Sequence, residues 1–359
     1  MTTIAPAKGL TLAIDAMGGD AGPGAVIDGI AEAVGGGLNA RILFCGDKAL
    51  LAPILEKRPE LKSVDIRHAD SVVAMTDKPG HVLRRGRDTS MWAAIAALKE
   101  GEANAVLSCG NTGALMAVAR MQLRMIEGVD RPALTALWPT QRGQTIVLDV
   151  GANVEATANE LVQYAIMGEA FFRALTGAER PTVGLLNVGA EERKGHELIR
   201  TAARILRDAD PEMAFEGFVE GDDISSGAVD VVVTDGFTGN IAIKTAEGAA
   251  RLVSSWVKDA LKYSLNSKLA ALLMYRGLKK LKARMDPSSM NGGLLLGVNG
   301  VVVKSHGGAN AAGVRTAVEM TANLARRPFL DEIAETVAKV ARRAADASAE
   351  PAGAKVIAL

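Results

Sequence analysis

The feature that most constrains the fold of this chain is an order of segments that recurs six times. Each time, a short apolar run is followed by a turn rich in Gly, Asp, Asn, Ser or Thr, and then by a segment with helical periodicity. Short β-branched runs that alternate with helices are typical of a parallel sheet covered on both faces. We therefore predict a three-layer α/β/α sandwich with a doubly wound, mostly parallel sheet. The six predicted strands are residues 10–14, 105–108, 146–148, 183–186, 229–234 and 294–303, with further strands near 41–45, 64–67 and 133–138.

The length of the chain, 359 residues, fits one large α/β domain or two compact units. We predict a single domain over residues 1–340, followed by a loose tail at 345–359. The segment 258–284 breaks the α/β alternation, because it holds eight Lys and Arg but one acid, Asp259, among Leu, Met and Tyr residues. This pattern predicts a protruding pair of amphipathic helices over about 255–288. Such a basic, leucine-rich surface suits an anionic membrane or an acidic protein, and the alternative is a dimerisation or core helix pair.

Composition argues against several functional classes. The 41 basic and 41 acidic residues leave no net charge, and aromatic residues make up 4%, which argues against nucleic-acid binding. The 2 Cys and 4 scattered His provide neither a disulfide framework nor a metal site. The motifs of P-loops, dinucleotide-binding folds and serine hydrolases are missing from the sequence. The sequence shows no signal peptide and no apolar run long enough for a membrane span, so we expect a cytoplasmic protein.

The recurrent turns point to an anion. In a sheet of this kind, residues just past the carboxyl ends of the strands converge on one crevice. The helix that follows each turn presents free N–H groups and the positive end of its dipole, which favour a bound anion. The alternative is that these Gly and Asx residues only build turns. A basic loop at 75–91, with Lys78, Arg84, Arg85 and Arg87, is either a clamp for phosphate or an acidic partner, or a solvated loop.

Seven longer stretches carry a resemblance to a known family. They are AIDAMGGDAGP at 13–23, MTDKPGHVLRRGRDTSM at 75–91, LSCGNTGALMA at 107–117, LDVGAN at 148–153, GLLNVGAEERKGHEL at 184–198, VVTDGFTGNIAIKT at 232–245 and GVNGVVVKSHGGANA at 297–311. Together they resemble the phosphate acyltransferases of bacterial phospholipid synthesis (the PlsX type), from about residue 10 to residue 324. The chain departs from the family pattern at Cys109, where alanine is usual, and at Arg87 and Thr89, which replace lysine and serine.

The resemblance implies that a fatty acyl group moves from the thioester of acyl-carrier protein to inorganic phosphate. The resulting acyl phosphate would serve a glycerol-3-phosphate acyltransferase in the membrane. It also implies a homodimer, no organic cofactor, and a fold related to phosphotransacetylases and isocitrate/isopropylmalate dehydrogenases. The basic segment would then dock the enzyme peripherally on the membrane, where acyl phosphate is consumed. The nearest alternative is a phosphotransacetylase-like enzyme that uses acyl-coenzyme A. An NAD-dependent decarboxylating dehydrogenase and a non-catalytic lipid or acyl-carrier scaffold are more distant alternatives.

The same matches imply roles for individual residues. Lys194 would supply positive charge to phosphate or to the oxyanion, and Asn240 would donate a hydrogen bond to the thioester carbonyl. Phosphate is already a nucleophile at pH 7, so Cys109 is not expected to form an acyl-enzyme. The expected phosphate or substrate contacts are Gly18, Gly19, Asp20, Ser108, Asn111, Thr112, Gly113, Asn153, Asn187, Thr238, Gly239, His306 and Gly307. The expected carrier-protein or membrane contacts are Arg84, Arg85, Leu272, Leu273, Lys279 and Lys280.

Overall fold

The protein is built on one eleven-stranded sheet in the order β3-β2-β1-β4-β11-β10-β5-β6-β9-β7-β8. The computed structural model describes residues 9–209, 212–264, 266–267, 272–278 and 292–349. The strands are β1 (Thr11–Asp15), β2 (Arg41–Gly46), β3 (Asp65–His68), β4 (Ala105–Ser108), β5 (Ala133–Thr140), β6 (Gly143–Leu148), β7 (Thr182–Leu186), β8 (Ala214–Val219), β9 (Val231–Val233), β10 (Gly293–Leu296) and β11 (Val301–Lys304).

Helices follow most strands, as the sequence predicts. They are α1 (Gly22–Gly35), α2 (Lys48–Leu55), α3 (Pro79–Arg85), α4 (Ser90–Lys99), α5 (Thr112–Leu123), α6 (Ala158–Thr176), α7 (Glu197–Ala209), α8 (Gly221–Ser226), α9 (Gly236–Lys262), α10 (Ala311–Ala325) and α11 (Phe329–Ala349), with a 3-10 turn at Pro59–Leu61. In the part of the chain that is described, no helix is long and apolar enough to cross a bilayer.

Both faces of the sheet are covered, which confirms the predicted layer arrangement. Along β1, Leu12 and Ile14 belong to one buried apolar cluster, whereas Ala13 between them belongs to another. Val232 of β9 is likewise separated from its neighbours Val231 and Val233. Side chains alternate between the two faces of a strand, so this pattern requires apolar packing on both sides.

The sheet consists of two parallel halves joined by antiparallel strands. Strands β3, β2, β1, β4 and β11 are parallel to one another, and so are β6, β9, β7 and β8. Between the halves, β10 is antiparallel to β11 and β5, and β5 is antiparallel to β6. The two halves therefore run in opposite directions.

The register brings the carboxyl ends of both halves together. Val303 of β11 lies opposite Leu294 of β10, and Leu294 exchanges hydrogen bonds with the hydroxyl of Thr135 in β5. Thr135 in turn lies opposite Leu148, the last residue of β6. The four residues form one row across the sheet, at which β11 and β6 both end although they approach it from opposite sides. This row defines the crevice that the strand-end turns share.

Four sequence expectations differ from the structure. The segment 294–303 is a hairpin rather than one strand, because the chain turns at Gly297 with φ +94°. Part of the 75–91 loop is helix α3, whose first turn begins with Pro79. Helix α9 continues without a break to Lys262, into the segment where a separate helix pair is predicted, because residues 249–262 contain no Gly or Pro. Helix α11 runs through Ala349, so the first five residues of the predicted tail are helical, in an alanine-rich run without Gly or Pro.

Candidate active site

The turns after β1 and β11 are in direct contact. The N–H of Asp20 donates to the carbonyl oxygen of Gly307 at 2.8 Å. Gly18 lies so close to the turn after β4 that a Cβ there would be 2.8 Å from the amide nitrogen of Gly110. Gly19, between them, also packs against Gly307. These glycines therefore allow the three turns after β1, β4 and β11 to pack closely against one another.

Ser108 is fully buried and serves the turn. Its hydroxyl donates to Asp15 at 2.6 Å and accepts from the N–H of Gly110 at 3.0 Å, while Ser90 donates to the other oxygen of Asp15 at 2.6 Å. Burial raises the pKa of the Asp15 carboxyl, and the two serine hydrogen bonds oppose that shift. Ser108 thus holds Asp15 and the following turn in place, which leaves its hydroxyl no donor for phosphate.

Asn111 is also occupied by the protein itself. Its side-chain oxygen caps α5 by accepting from the N–H of Ala114 at 3.0 Å, and its amide donates to the carbonyls of Met75 at 2.9 Å and Asp77 at 3.0 Å. It therefore fixes the start of α5 and the basic segment beside it. Gly113, in the first turn of α5, packs against Pro79 at the start of α3.

A second group of turns follows β6 and β9. The buried Asp149 accepts from the N–H of Leu134 at 3.0 Å and of Asn153 at 2.7 Å. The Asn153 amide donates to Asp149 at 3.0 Å and to the carbonyl of Pro132 at 2.7 Å, so it too is a turn builder. Burial raises the pKa of Asp149, and these hydrogen bonds oppose the shift. Gly239 lets α9 pack directly on the Asp149 carbonyl.

The turn after β7 contains Asn187 and Lys194. The Asn187 amide donates to the carbonyls of Gly189 and Lys194, each at 3.1 Å, and so shapes the loop. The Lys194 ammonium lies 2.8 Å from a Glu191 oxygen, and its side chain is 52% exposed. The hydrogen bond that the Lys194 ammonium donates to Glu191 raises the pKa of Lys194. In the turn after β9, Thr238 is exposed, and both its N–H and its hydroxyl donate to Asp235, the N-cap of α9.

A cavity of about 850 Å³ opens along the row where the two half-sheets meet. It brings together three residues expected from the sequence, Thr112, Asn240 and His306, whereas Lys194 and the turn builders described above lie outside its described lining. Asn240 approaches from α9 and His306 from the turn after β11. The polar end of the cavity is lined by Thr112, Gly151, Asn240, Lys244, Lys304, Ser305, His306 and Asn310.

Sequence reasoning missed four side chains of this polar end, Lys304, Lys244, Ser305 and Asn310, and Lys304 is the most deeply placed charge among them. It ends β11, is 9% exposed, and directs its ammonium to the carbonyl of Ser305 and, at 3.5 Å, to that of Cys109. Burial lowers the pKa of Lys304, although Cys109, Asp15 and Asp20 oppose that shift. The sequence does contain a signal for it, because Lys304 directly follows three valines of a buried strand. A charge at the end of such a strand needs a polar or charged partner, which points to a binding site.

Two helix N-termini add to the positive character of this end. Asn111 caps α5, and Asn310 caps α10 by accepting from the N–H of Gly313 at 2.9 Å. Thr112 and Asn310 line the cavity, so the first turns of both helices face it. Helix N-termini favour anions, and a buried ammonium beside them strengthens that preference. This end of the cavity is suited to hold a phosphate.

The other end of the cavity is mainly apolar, although Ser225, Glu247 and Arg251 also line it. It lies between β5 and α9, which pack together through a separate apolar cluster. The Trp138 indole N–H donates to the Ser225 hydroxyl at 3.2 Å and so fixes the ring at this end. The apolar side chains that line this part are Leu134, Ala136, Leu137, Trp138, Pro139, Ile243, Ala246 and Ala250. The cavity as a whole therefore suits an anion at one end and a hydrocarbon chain along its length.

The remaining expected contacts lie on the surface. Arg84 and Arg85 are exposed in the last turn of α3. Leu272 and Leu273 are 71% and 82% exposed. Lys279 and Lys280 lie outside the described residues. Within those residues, no group of three or more His, Cys, Asp and Glu side chains is placed to hold a metal ion.

Comparison with known proteins gives both a family and a fold. The chain matches the family described as fatty acid synthesis protein over residues 10–331. It is 53% identical over 335 residues to a phosphate acyltransferase of Maricaulis maris, covering 92% of this chain and 95% of the relative. The corresponding protein of Caulobacter vibrioides is 50% identical over 339 residues, with 94% of each chain covered.

Solved structures resemble the protein at lower identity. A phosphotransacetylase from Streptococcus pyogenes has a TM-score of 0.59 at 16% identity, covering 90% of this chain and 96% of the other. The EutD phosphotransacetylase from Staphylococcus aureus has a TM-score of 0.54 at 13% identity, covering 89% and 94%. At these identities the likeness shows a shared fold, which confirms the prediction of a phosphotransacetylase-like fold.

Proposed function

The chain belongs to the phosphate acyltransferase family of fatty acid and phospholipid synthesis and is an acyltransferase, and we propose that its donor is a fatty acyl thioester of acyl-carrier protein. In this reaction a phosphate oxygen bonds to the acyl carbon, and the carbon–sulfur bond breaks. The carrier leaves as a thiolate, and the product is an acyl phosphate. A glycerol-3-phosphate acyltransferase in the membrane would then consume that product.

The observation that carries this proposal is the two-part cavity. Its polar end offers Lys304, His306, Asn240 and two helix N-termini, and its apolar part runs on between β5 and α9. An enzyme must hold phosphate next to the thioester carbonyl, with the rest of the acyl group removed from water. A two-carbon acyl group would leave the apolar part unused. The cavity therefore favours a fatty donor over the short-chain alternative that the sequence leaves open.

We assign roles to Lys304 and Asn240 by their position in the cavity, and to Lys194 by the family resemblance alone. The Lys304 ammonium would hold phosphate, because two of its three N–H donors are directed at carbonyls and the third is available to an anion. The Asn240 amide would donate to the thioester carbonyl and stabilise the developing oxyanion. Lys194 would exchange Glu191 for the negative charge of phosphate or oxyanion, a role that rests on the family resemblance.

The test is thiol release from palmitoyl-carrier protein, with and without inorganic phosphate. We expect release of free thiol and formation of acyl phosphate in equal amounts, both dependent on phosphate. Acetyl-coenzyme A, as a short-chain donor without the carrier, is expected to react far more slowly. Equally fast thiol release in phosphate-free buffer would contradict the proposal and indicate a hydrolase instead.

Peripheral membrane contact is supported by exposed apolar side chains. Four consecutive apolar or aromatic side chains are each more than half exposed: Leu272, Leu273, Met274 and Tyr275. Apolar side chains beside lysines are typical of surfaces that insert into an anionic lipid interface. We propose that these residues enter the membrane surface, where the product is needed. The exposed Arg84 and Arg85 would then be left to bind the acidic carrier protein.

A homodimer is supported by the outer face of α9. One side of this helix carries four large apolar side chains that are between 50% and 61% exposed: Phe237, Ile241, Leu252 and Trp256. They lie opposite the side that lines the cavity. Such a stripe on a helix is self-complementary across a two-fold axis, so we propose that a second copy of the chain covers it.

A further inference from the structure

The apolar part of the cavity has two walls of similar length. On β5 it extends from Leu134 to Pro139, which spans about 17 Å at the rise of an antiparallel strand. On α9 it extends from Asn240 to Arg251, which spans about 16 Å at the rise of a helix. Asn240, Lys304 and His306 lie at the Leu134 and Asn240 end, so an acyl chain whose carbonyl sits there would run along both walls towards Trp138. On α9 this path also passes Glu247 and Arg251, which pair with each other.

The side chains along this path change in size. Ala136 on β5 and Ala246 and Ala250 on α9 leave room between the walls. Trp138 then places a large ring at the far end. The ring is 8% exposed, packs in the same apolar cluster as Ile224, and is held by its hydrogen bond to Ser225. A buried ring held by packing and a hydrogen bond is a rigid boundary.

We infer that Trp138 is a specificity-determining residue: its indole limits the length of the acyl chain that the site accepts. The inference rests on the proposed fatty acyl donor. An extended alkyl chain advances about 1.25 Å for each carbon–carbon bond, because bonds of about 1.5 Å meet at an angle near 111°. The path from Leu134 to Trp138 is about 14 Å long at the rise of a strand, so it accepts about 11 bonds, which corresponds to a fatty chain of about twelve carbons.

The experiment measures kcat/KM for carrier protein loaded with saturated acyl groups from 2 to 18 carbons, with free thiol as the readout. Trp138→Ala is expected to move the preferred length to longer chains by two or more carbons. Trp138→Phe keeps an apolar ring but is smaller and lacks the N–H, so it should give a smaller shift in the same direction. Ala246→Leu narrows the path midway and should lower kcat/KM for the longest donors at least tenfold relative to short ones.

The matched control is Ala249→Leu, the same change on an exposed position of α9 outside the cavity lining. It should leave the chain-length profile unchanged. Trp138→Phe and Ala246→Leu keep the inference testable even where Trp138→Ala fails to fold. Unchanged profiles in these two folded variants would overturn it. A wild-type protein that releases no thiol from any donor in phosphate would instead overturn the proposed function.

Discussion

Lys304 combines an unfavourable position for stability with a favourable one for anion binding. Its ammonium is buried against two carbonyl oxygens and lacks a carboxylate partner among the contacts of the described residues. A buried charge without a counter-ion destabilises a folded protein, and a bound anion removes that penalty. The same side chain can therefore be both a weak point of the free protein and a main contributor to phosphate binding.

Lys304→Met is expected to raise the KM for phosphate about ten- to hundredfold. This is the loss of affinity that follows from removing one charge-assisted hydrogen bond of about 1.5–3 kcal/mol. Its thermal midpoint should equal or exceed that of the wild type, because a buried charge is replaced by an apolar side chain. Steady-state kinetics against phosphate and a melting curve check the two effects. Added phosphate should stabilise the wild type and not the variant.

The stability difference should also depend on pH. Burial lowers the pKa of Lys304 from 10.5, so the unfolded chain binds this proton more tightly than the folded one. The loss of folding stability caused by the buried ammonium is complete below the lowered pKa and disappears as the pH rises through 10.5.

Lys194→Ala and Asn240→Ala serve as kinetic comparisons for Lys304→Met, because they should lower kcat with less effect on the KM for phosphate. A stable Lys304→Met protein with an unchanged phosphate KM would remove Lys304 from the site.

The asparagines show why the sequence predicts only part of the site. Asn111, Asn153 and Asn240 all stand in glycine-rich turns and look alike in the sequence. The structure shows that the first two spend their amides on backbone carbonyls, whereas Asn240 lines the cavity. Which role an asparagine takes depends on the backbone groups that the turn leaves unpaired, and that is decided by tertiary packing.

At the scale of elements, one continuous helix, α9, combines three structural features. One side lines the cavity, the opposite side carries an exposed apolar stripe, and the end of the helix extends into the basic segment. The sequence predicts the strands and most helices, because their apolar runs are clear. It does not predict β8, since its sequence AFEGFV places Glu216 and Gly217 inside an edge strand, or the hairpin at Gly297.

A second prediction concerns the exposed tip at residues 272–275. Leu273→Glu should reduce sedimentation with anionic liposomes at least fivefold, because a charged side chain opposes insertion into the lipid interface. Binding of the wild type should weaken as salt is added. Leu50→Glu, at an exposed leucine of α2, is the control and should sediment like the wild type. Unchanged sedimentation of Leu273→Glu would rule out this tip as the membrane contact and favour carrier binding.

At the scale of the whole molecule, the outer stripe of α9 predicts the assembly. Trp256→Glu places a charge where a 61% exposed indole would be covered by a second copy. We expect the dissociation constant of the dimer to rise at least a hundredfold, measured by sedimentation velocity over a range of concentrations. Met121→Glu, at an exposed methionine of α5, should leave the mass unchanged. A Trp256→Glu protein that remains dimeric would assign the interface elsewhere.

The opposed half-sheets have a consequence for the proposed meeting of the two substrates. Lys304 belongs to one half, and Asn240 is anchored through the Asp149 turn to the other, so backbone hydrogen bonds across β10 and β5 would set the spacing between the proposed nucleophile and electrophile. A slip of one residue in that ladder would displace one reactant from the other by about 3.4 Å, more than a bond-forming approach tolerates. Surface loops can thus diverge freely while the interval between phosphate and thioester stays constant.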